Sequence, residues 1–157
     1  MKEMSISPRP EIPFTVQEEL ALPSMGASVV SFAVQPDIGV AVDVCGTGDV
    51  PGAAPMAVKL GGGPAILVRD TTLVADKGLV DTLTKLAKDA GLSYQYEVST
   101  AGGQDAVPMQ KVGLGCKAGV ISIPMRYLHT SAETADLSDA SGCVTLSAAL
   151  CDCEEIL

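Results

Sequence analysis

The sequence predicts an α/β domain of three layers, with helices on both faces of a mostly parallel sheet. Three observations predict it. Apolar runs of strand length alternate along the chain with segments of helical period. Two of those runs, PDIGVAVDV (36–44) and KAGVISIP (117–124), are nearly continuous, as strands covered on both faces are. Apolar residues make up 47% of the chain and aromatics only 3%, so the core must be built from Val, Leu, Ile, Ala and Met. A length of 157 residues fits one domain with a real core.

Residues 1–13 carry Pro8, Pro10 and Pro13, each without an N–H, and are expected to form an extended lead-in. The rest of the chain, 14–153, is expected to be the folded part, with 154–157 as a tail. Phe14–Glu19 has room for a short strand. Pro23 and Ser24 suit a turn and a helix start, with Ser24 as cap and the helix running to about Ala33. The 36–44 run reads as a buried strand ending in Asp43, and GTGDVPG (46–52) as loop. MAVKL (56–60) alternates like an edge strand. GGG (61–63) is a turn, and PAILVRD (64–70) another strand.

Residues 76–91 place apolar side chains at 79, 80, 83, 86, 87 and 90, close to a 3.6 period, with Gly91 as the stop; this is a helix. YQYEV (94–98) follows as a strand. TAGGQDAVPMQKVG is a loop leading into a short helix. The 117–124 strand is expected to close at Pro124. A final helix runs from about Ser138, as its cap, to Cys151.

Charge narrows the partners. The net charge of −9 disfavours nucleic acid and anionic membrane surfaces and leaves room for cations. The amino terminus has no secretory h-region, and no stretch approaches a membrane span. A cytoplasmic protein with its five cysteines reduced is the expectation. Cys151 and Cys153 stand two apart, and zinc knuckles more often use C-x2-C; these thiols read as small packing or tail residues. LGGGP (60–64) lacks the G-x4-G-K-[ST] pattern of a phosphate loop and reads as a tight turn. The methionines are dispersed, which fits gap-filling in a core.

Glu18/Glu19, Asp43 and His129 each follow an apolar run, and in open α/β sheets functional residues gather at the carboxyl ends of strands. Glu19, Asp43 and His129 would supply two carboxylates and one imidazole to a cation. Glu18 would then handle protons beside it. A cation also explains why two neighbouring acids tolerate one another. The plain alternatives are a solvated acid pair, a turn aspartate and an ordinary loop histidine.

Taken in order, FTVQEEL…GAS, PDIGVAVDV…GDVPG, LGGGPAI, STAGGQDA and GVISIPMRYLHT resemble the catalytic-domain motifs of the dinuclear zinc aminopeptidases of the glutamyl and deblocking aminopeptidase family. Members form tetrahedral dodecamers, and some carry a cellulase or endoglucanase label. The resemblance covers about residues 14–150 and implies removal of N-terminal residues from peptides. It implies Glu18 as general acid/base, Glu19 and His129 as ligands of one metal, and Asp43 as a ligand of the other. Gly102, Gly103 and Asp105 resemble the family's G-G-T-D-A loop near the substrate pocket. The metal is expected to be zinc, with cobalt or manganese also suited to such ligands.

The departures are informative. The family needs a further histidine early in the chain and a bridging carboxylate before the Q-E-E segment, whereas His129 is the only histidine here. Gln104 replaces the family's Thr, and LALPSMGA is about two residues longer than its counterpart. The expectation is therefore the carboxyl half of such an enzyme. It would carry an incomplete dinuclear site, and would be a homo-oligomer or depend on a partner chain supplying the amino half. The competing expectation is an inactive remnant serving as a binding or regulatory subunit. A glycosidase fits poorly, because adjacent glutamates on a strand point to opposite faces and could not flank one bond.

Overall fold

The structure, a computed structural model, describes residues 10–20 and 24–153. Most of the expected lead-in, the turn at Pro23 and the 154–157 tail lie outside the described residues.

The elements are α1 (Met25–Val34), β1 (Ile38–Gly46), β2 (Ala65–Arg69), α2 (Lys77–Asp89), β3 (Gln95–Val98), α3 (Ala106–Lys111), β4 (Lys117–Arg126), β5 (Thr134–Ala135) and α4 (Leu137–Cys151). The sheet order is β1-β4-β2-β3, with β5 on β4. β1 and β4 pair in parallel over their whole length, from Ile38↔Lys117 to Gly46↔Met125, and β2 pairs with β3 in parallel. The β2–β4 and β4–β5 pairings are antiparallel and two residue pairs long. The sheet is mixed but mostly parallel, as expected.

Side-chain alternation along the strands separates two cores. Ala41, Leu67, Ala118 and Val120 face Ala106 and Val107 of α3. Ile66 and Ile121 face the other way, onto Leu79, Leu83 and Ala87 of α2 and Cys143 and Leu146 of α4. α1 packs on α3, so helices lie on both faces. Each leucine buried as fully as Leu83 contributes about 1.5–3 kcal/mol. Two glycines set the layer spacing. A Cβ at Gly39 would stand 2.8 Å from Met109 of α3, and one at Gly119 would stand 2.8 Å from Leu79 of α2.

The α2 reading holds, with Asp76 accepting from Leu79 N–H as N-cap and Gly91 taking φ 65° past the end. Several expectations are corrected. Phe14–Glu19 is not a strand: Gln17 adopts φ 59°, and the Val16 carbonyl accepts from Gly26 N–H at the start of α1. Residues 56–60 are not a strand either. The Val58 carbonyl accepts from Gly48 N–H, and the Gln95 side chain takes both the amide and the carbonyl of Lys59. Those backbone groups are satisfied without a ladder.

β4 continues through Pro124 to Arg126. Pro124 falls between the β2 pairing, which ends at Ser122, and the β5 pairing, which begins at Met125, so the missing N–H interrupts little. β1 likewise runs on past Asp43 to Gly46. α4 is capped by Asp136, which accepts from Ser138 N–H, rather than by Ser138. Ser24 precedes α1 but makes no side-chain cap, and Met25 is exposed rather than packed.

The triple-glycine turn encloses a carboxylate of the chain itself. Asp139, fully buried in α4, accepts from Gly61 N–H and Gly63 N–H, each at 2.7 Å. The loop's N–H groups therefore belong to an internal tie, in keeping with the reading of a turn rather than a phosphate cradle.

Candidate active site

Three separate stretches of chain meet beside β1. The parallel β1–β4 register sets Asp43 opposite Ser122. The chain leaving β4 turns sharply, with Tyr127 at φ 56° and His129 at φ 63°, and presents the imidazole. Glu133 accepts from His129 N–H at 2.6 Å and fixes that turn. The 10–20 segment is tied down from the other side. Val16 is bonded to Gly26, and Thr15 Oγ1 donates to Asp105 Oδ2. Gln17, in its left-handed conformation, then swings Glu18 and Glu19 towards β1. Left-handed non-glycine residues are uncommon, and two of the four among the described residues, Gln17 and His129, flank this cluster.

His129 Nε2 lies 2.9 Å from Glu19 Oε1, and both side chains are well exposed, at 64% and 70%. Glu18 is half-buried among charges of its own sign. Burial comes first, then Asp43, Glu19 and Asp105, which together raise its pKa to about 7 against the opposing pull of His129. Burial is also the main cause raising Asp43, with Asp105 and Glu19 adding to it; the bond from Val44 N–H, at 2.7 Å, and His129 act the other way. Asp105 opens α3 without capping it, and its Oδ1 is buried with no hydrogen-bond partner among the described residues.

Glu18, Glu19, Asp43, Asp105 and His129 thus share one electrostatic neighbourhood. Gly102 does not reach that group. It takes φ 111° against the turn at Asp70, its carbonyl accepting from Thr71 Oγ1, and Gly103 joins it to α3.

Sequence reasoning missed Thr15 and Glu97. Glu97 sits on β3 with 8% exposure, and Ser122 Oγ donates to its Oε2 at 2.7 Å. Burial, then the charges of Asp70 and Asp43, outweigh the bonds from Ser122 and Cys45 and raise its pKa. No signal marked it, because the alternation of YQYEV is equally consistent with the glutamate facing water.

Among the described residues, no group of three or more His, Cys, Asp and Glu side chains is arranged to hold a metal ion. Glu19 and His129 bond to each other and offer two donors facing one point. The donor types suit zinc, but a complete cation cage does not fit these residues. All five cysteines are free, and among the described residues no helix is long and apolar enough to cross a membrane.

Comparison with known proteins agrees with this architecture. A protein of Acetivibrio thermocellus, provisionally named an aminopeptidase, is 44% identical over 133 residues, covering 85% of this chain and 40% of that protein. An aminopeptidase structure from the archaeon Desulfurococcus kamchatkensis superposes with a TM-score of 0.83 at 35% identity, covering 88% of this chain and 39% of that one. The Pyrococcus horikoshii TET1 peptidase, which can assemble into a tetrahedron or a large octahedral shell, superposes with a TM-score of 0.73 at 33% identity over 88% and 39% of the two chains. The chain therefore spans about two fifths of the length of its relatives. Its residues 1–146 match the sequence profile of the M42 glutamyl aminopeptidases, and the chain belongs to that family.

Proposed function

We propose that this chain carries part of the catalytic centre of a metal-dependent aminopeptidase that removes N-terminal residues from peptides. The observation that carries the reading is the convergence of half-buried Glu18 with Glu19, Asp43, Asp105 and His129 beside β1, where His129 Nε2 stands 2.9 Å from Glu19 Oε1. A carboxylate so placed takes a proton from water and returns it to a departing amine at physiological pH. Glu19 and His129 are the two ligands of one divalent cation in this reading, and Asp43 is a ligand of a second. The cation is zinc, with cobalt or manganese as substitutes, and when bound it would supply Lewis acidity. The full dinuclear site requires groups from another stretch of polypeptide, so no step is derived through the metal. The pocket side of the reading rests on Gly102, Gly103 and Asp105, with the Asp105 Oδ1 left free. A cytoplasmic location and an oligomeric assembly belong to the same proposal.

The incomplete cation set also supports a second reading, an inactive subunit that binds a related chain. Hydrolysis of aminoacyl-p-nitroanilides separates the two. The chain is assayed with zinc, cobalt or manganese, alone and co-expressed with the part of a relative that lies outside the match. Activity in the complex, reduced about 10²–10⁴-fold by Glu18→Gln, supports the enzyme. A stable complex without hydrolysis supports the inactive subunit. Activity that Glu18→Gln leaves unchanged contradicts the role given to Glu18.

A further inference from the structure

Glu18 stands on a stretch of chain with little else to hold it. Residues 10–20 form neither a helix nor a strand of the sheet, and all of them are exposed except Thr15 and Glu18. Three ties seat the segment. The Val16 carbonyl accepts from Gly26 N–H at 3.0 Å, and the Gln17 carbonyl accepts from Met25 N–H at 3.5 Å. Both donors lie in the first turn of α1, where N–H groups have no partner inside the helix. The approach is close: a Cβ at Gly26 would stand 2.5 Å from Val16 N. The third tie is the bond from Thr15 Oγ1 to Asp105 Oδ2, ninety positions away at the start of α3.

The two main-chain bonds fix where the segment passes. The Thr15 bond fixes which of its sides faces inward, and Glu18 is the other residue on that side. Asp105 is spent on this bond alone. It does not cap α3, and its Oδ1 is buried with no hydrogen-bond partner among the described residues. Burying a carboxylate oxygen unpaired costs stability, so the group is held there for its position.

We propose that Thr15 and Asp105 are positioning residues, a clamp across the chain that turns Glu18 into the cluster with Asp43 and His129. The inference rests on the aminopeptidase reading, which gives Glu18 its proton transfer, and adds the groups that aim it. A general base must stand within hydrogen-bond reach of the proton it moves, and a misplacement of about 1 Å costs on the order of 10²-fold in rate.

Exchange of the Gly26 amide in the full chain reads the seat directly, because its acceptor belongs to the segment. Thr15→Val keeps the side chain's shape and removes the hydroxyl. It is expected to speed Gly26 exchange about tenfold or more, with the amides of β4 unchanged. Thr15→Ser keeps the hydroxyl and is expected to restore the protection. Asp105→Asn keeps an acceptor without the charge and is expected to retain it, whereas Asp105→Ala is expected to lose it. In the aminoacyl-p-nitroanilide assay, Thr15→Val is expected to lower kcat about tenfold or more with KM within about twofold, and Thr15→Ser to recover it. Gly26→Ala tests the seat independently. Alanine favours the helix, but its Cβ meets the Val16 backbone, so kcat is expected to fall without a lower melting temperature.

Unchanged Gly26 exchange in Thr15→Val, equal loss of protection in β4, or no recovery in Thr15→Ser overturns the proposal. So does Asp105→Asn behaving as Asp105→Ala, which would make charge rather than the hydrogen bond the active feature. Hydrolysis indifferent to Thr15→Val removes the clamp and keeps the aminopeptidase reading. Gly26 exchange that responds as expected, in a protein that hydrolyses no substrate, keeps the clamp and removes that reading.

Discussion

Glu97 shows how much one side chain can hide. It is buried beside Ser122, and its acid form is favoured by burial and by the charges of Asp70 and Asp43. Its folded pKa is raised, so its contribution to stability is fully present below the ordinary carboxylate pKa. That contribution is lost as the pH rises through the folded value. Glu97→Gln keeps an acceptor for Ser122 and removes the charge. Thermal melts between about pH 4 and about pH 8 should show the variant gaining on the parent chain as pH rises. A constant difference across that range would mean that Glu97 is not held in its acid form. At the same scale, Glu18, Glu19, Asp43 and His129 could be picked out because each follows an apolar run. Thr15 and Asp105 could not be joined from sequence, since they stand 90 positions apart and nothing between them says that they meet.

α4 is held to the strand system by an element-level tie. Asp139 in its first turn closes the Gly61–Gly63 loop ahead of β2 with two charge-assisted bonds. Asp139→Ala leaves both N–H groups without that partner and should cost about 2–4 kcal/mol, read as a lowered urea midpoint. A loss under about 0.5 kcal/mol, the range of ordinary surface substitutions, would contradict the tie. The legible elements were those whose signal is local. α2 declared itself through its period, its Asp76 cap and its Gly91 stop. The 56–60 and 14–19 segments had strand-like apolar patterns, but pairing depends on distant backbone. Gln95 captures the first, and the start of α1 captures the second. Pro124 misled for the same reason, because whether a proline ends a strand depends on what pairs beside it.

At the scale of the whole molecule, the three-layer arrangement and its mostly parallel sheet were legible from the alternation of runs. The order β1-β4-β2-β3 and the antiparallel contact of β2 with β4 were not, since they follow from how layers pack rather than from any one segment. The central claim is that the chain holds part of a cation centre: a proton-carrying glutamate beside two ligands of one ion. Calorimetric titration of the isolated chain with zinc tests it most directly. The account predicts weak binding of no more than a single ion, lost in His129→Ala; tight binding of two ions per chain would contradict it.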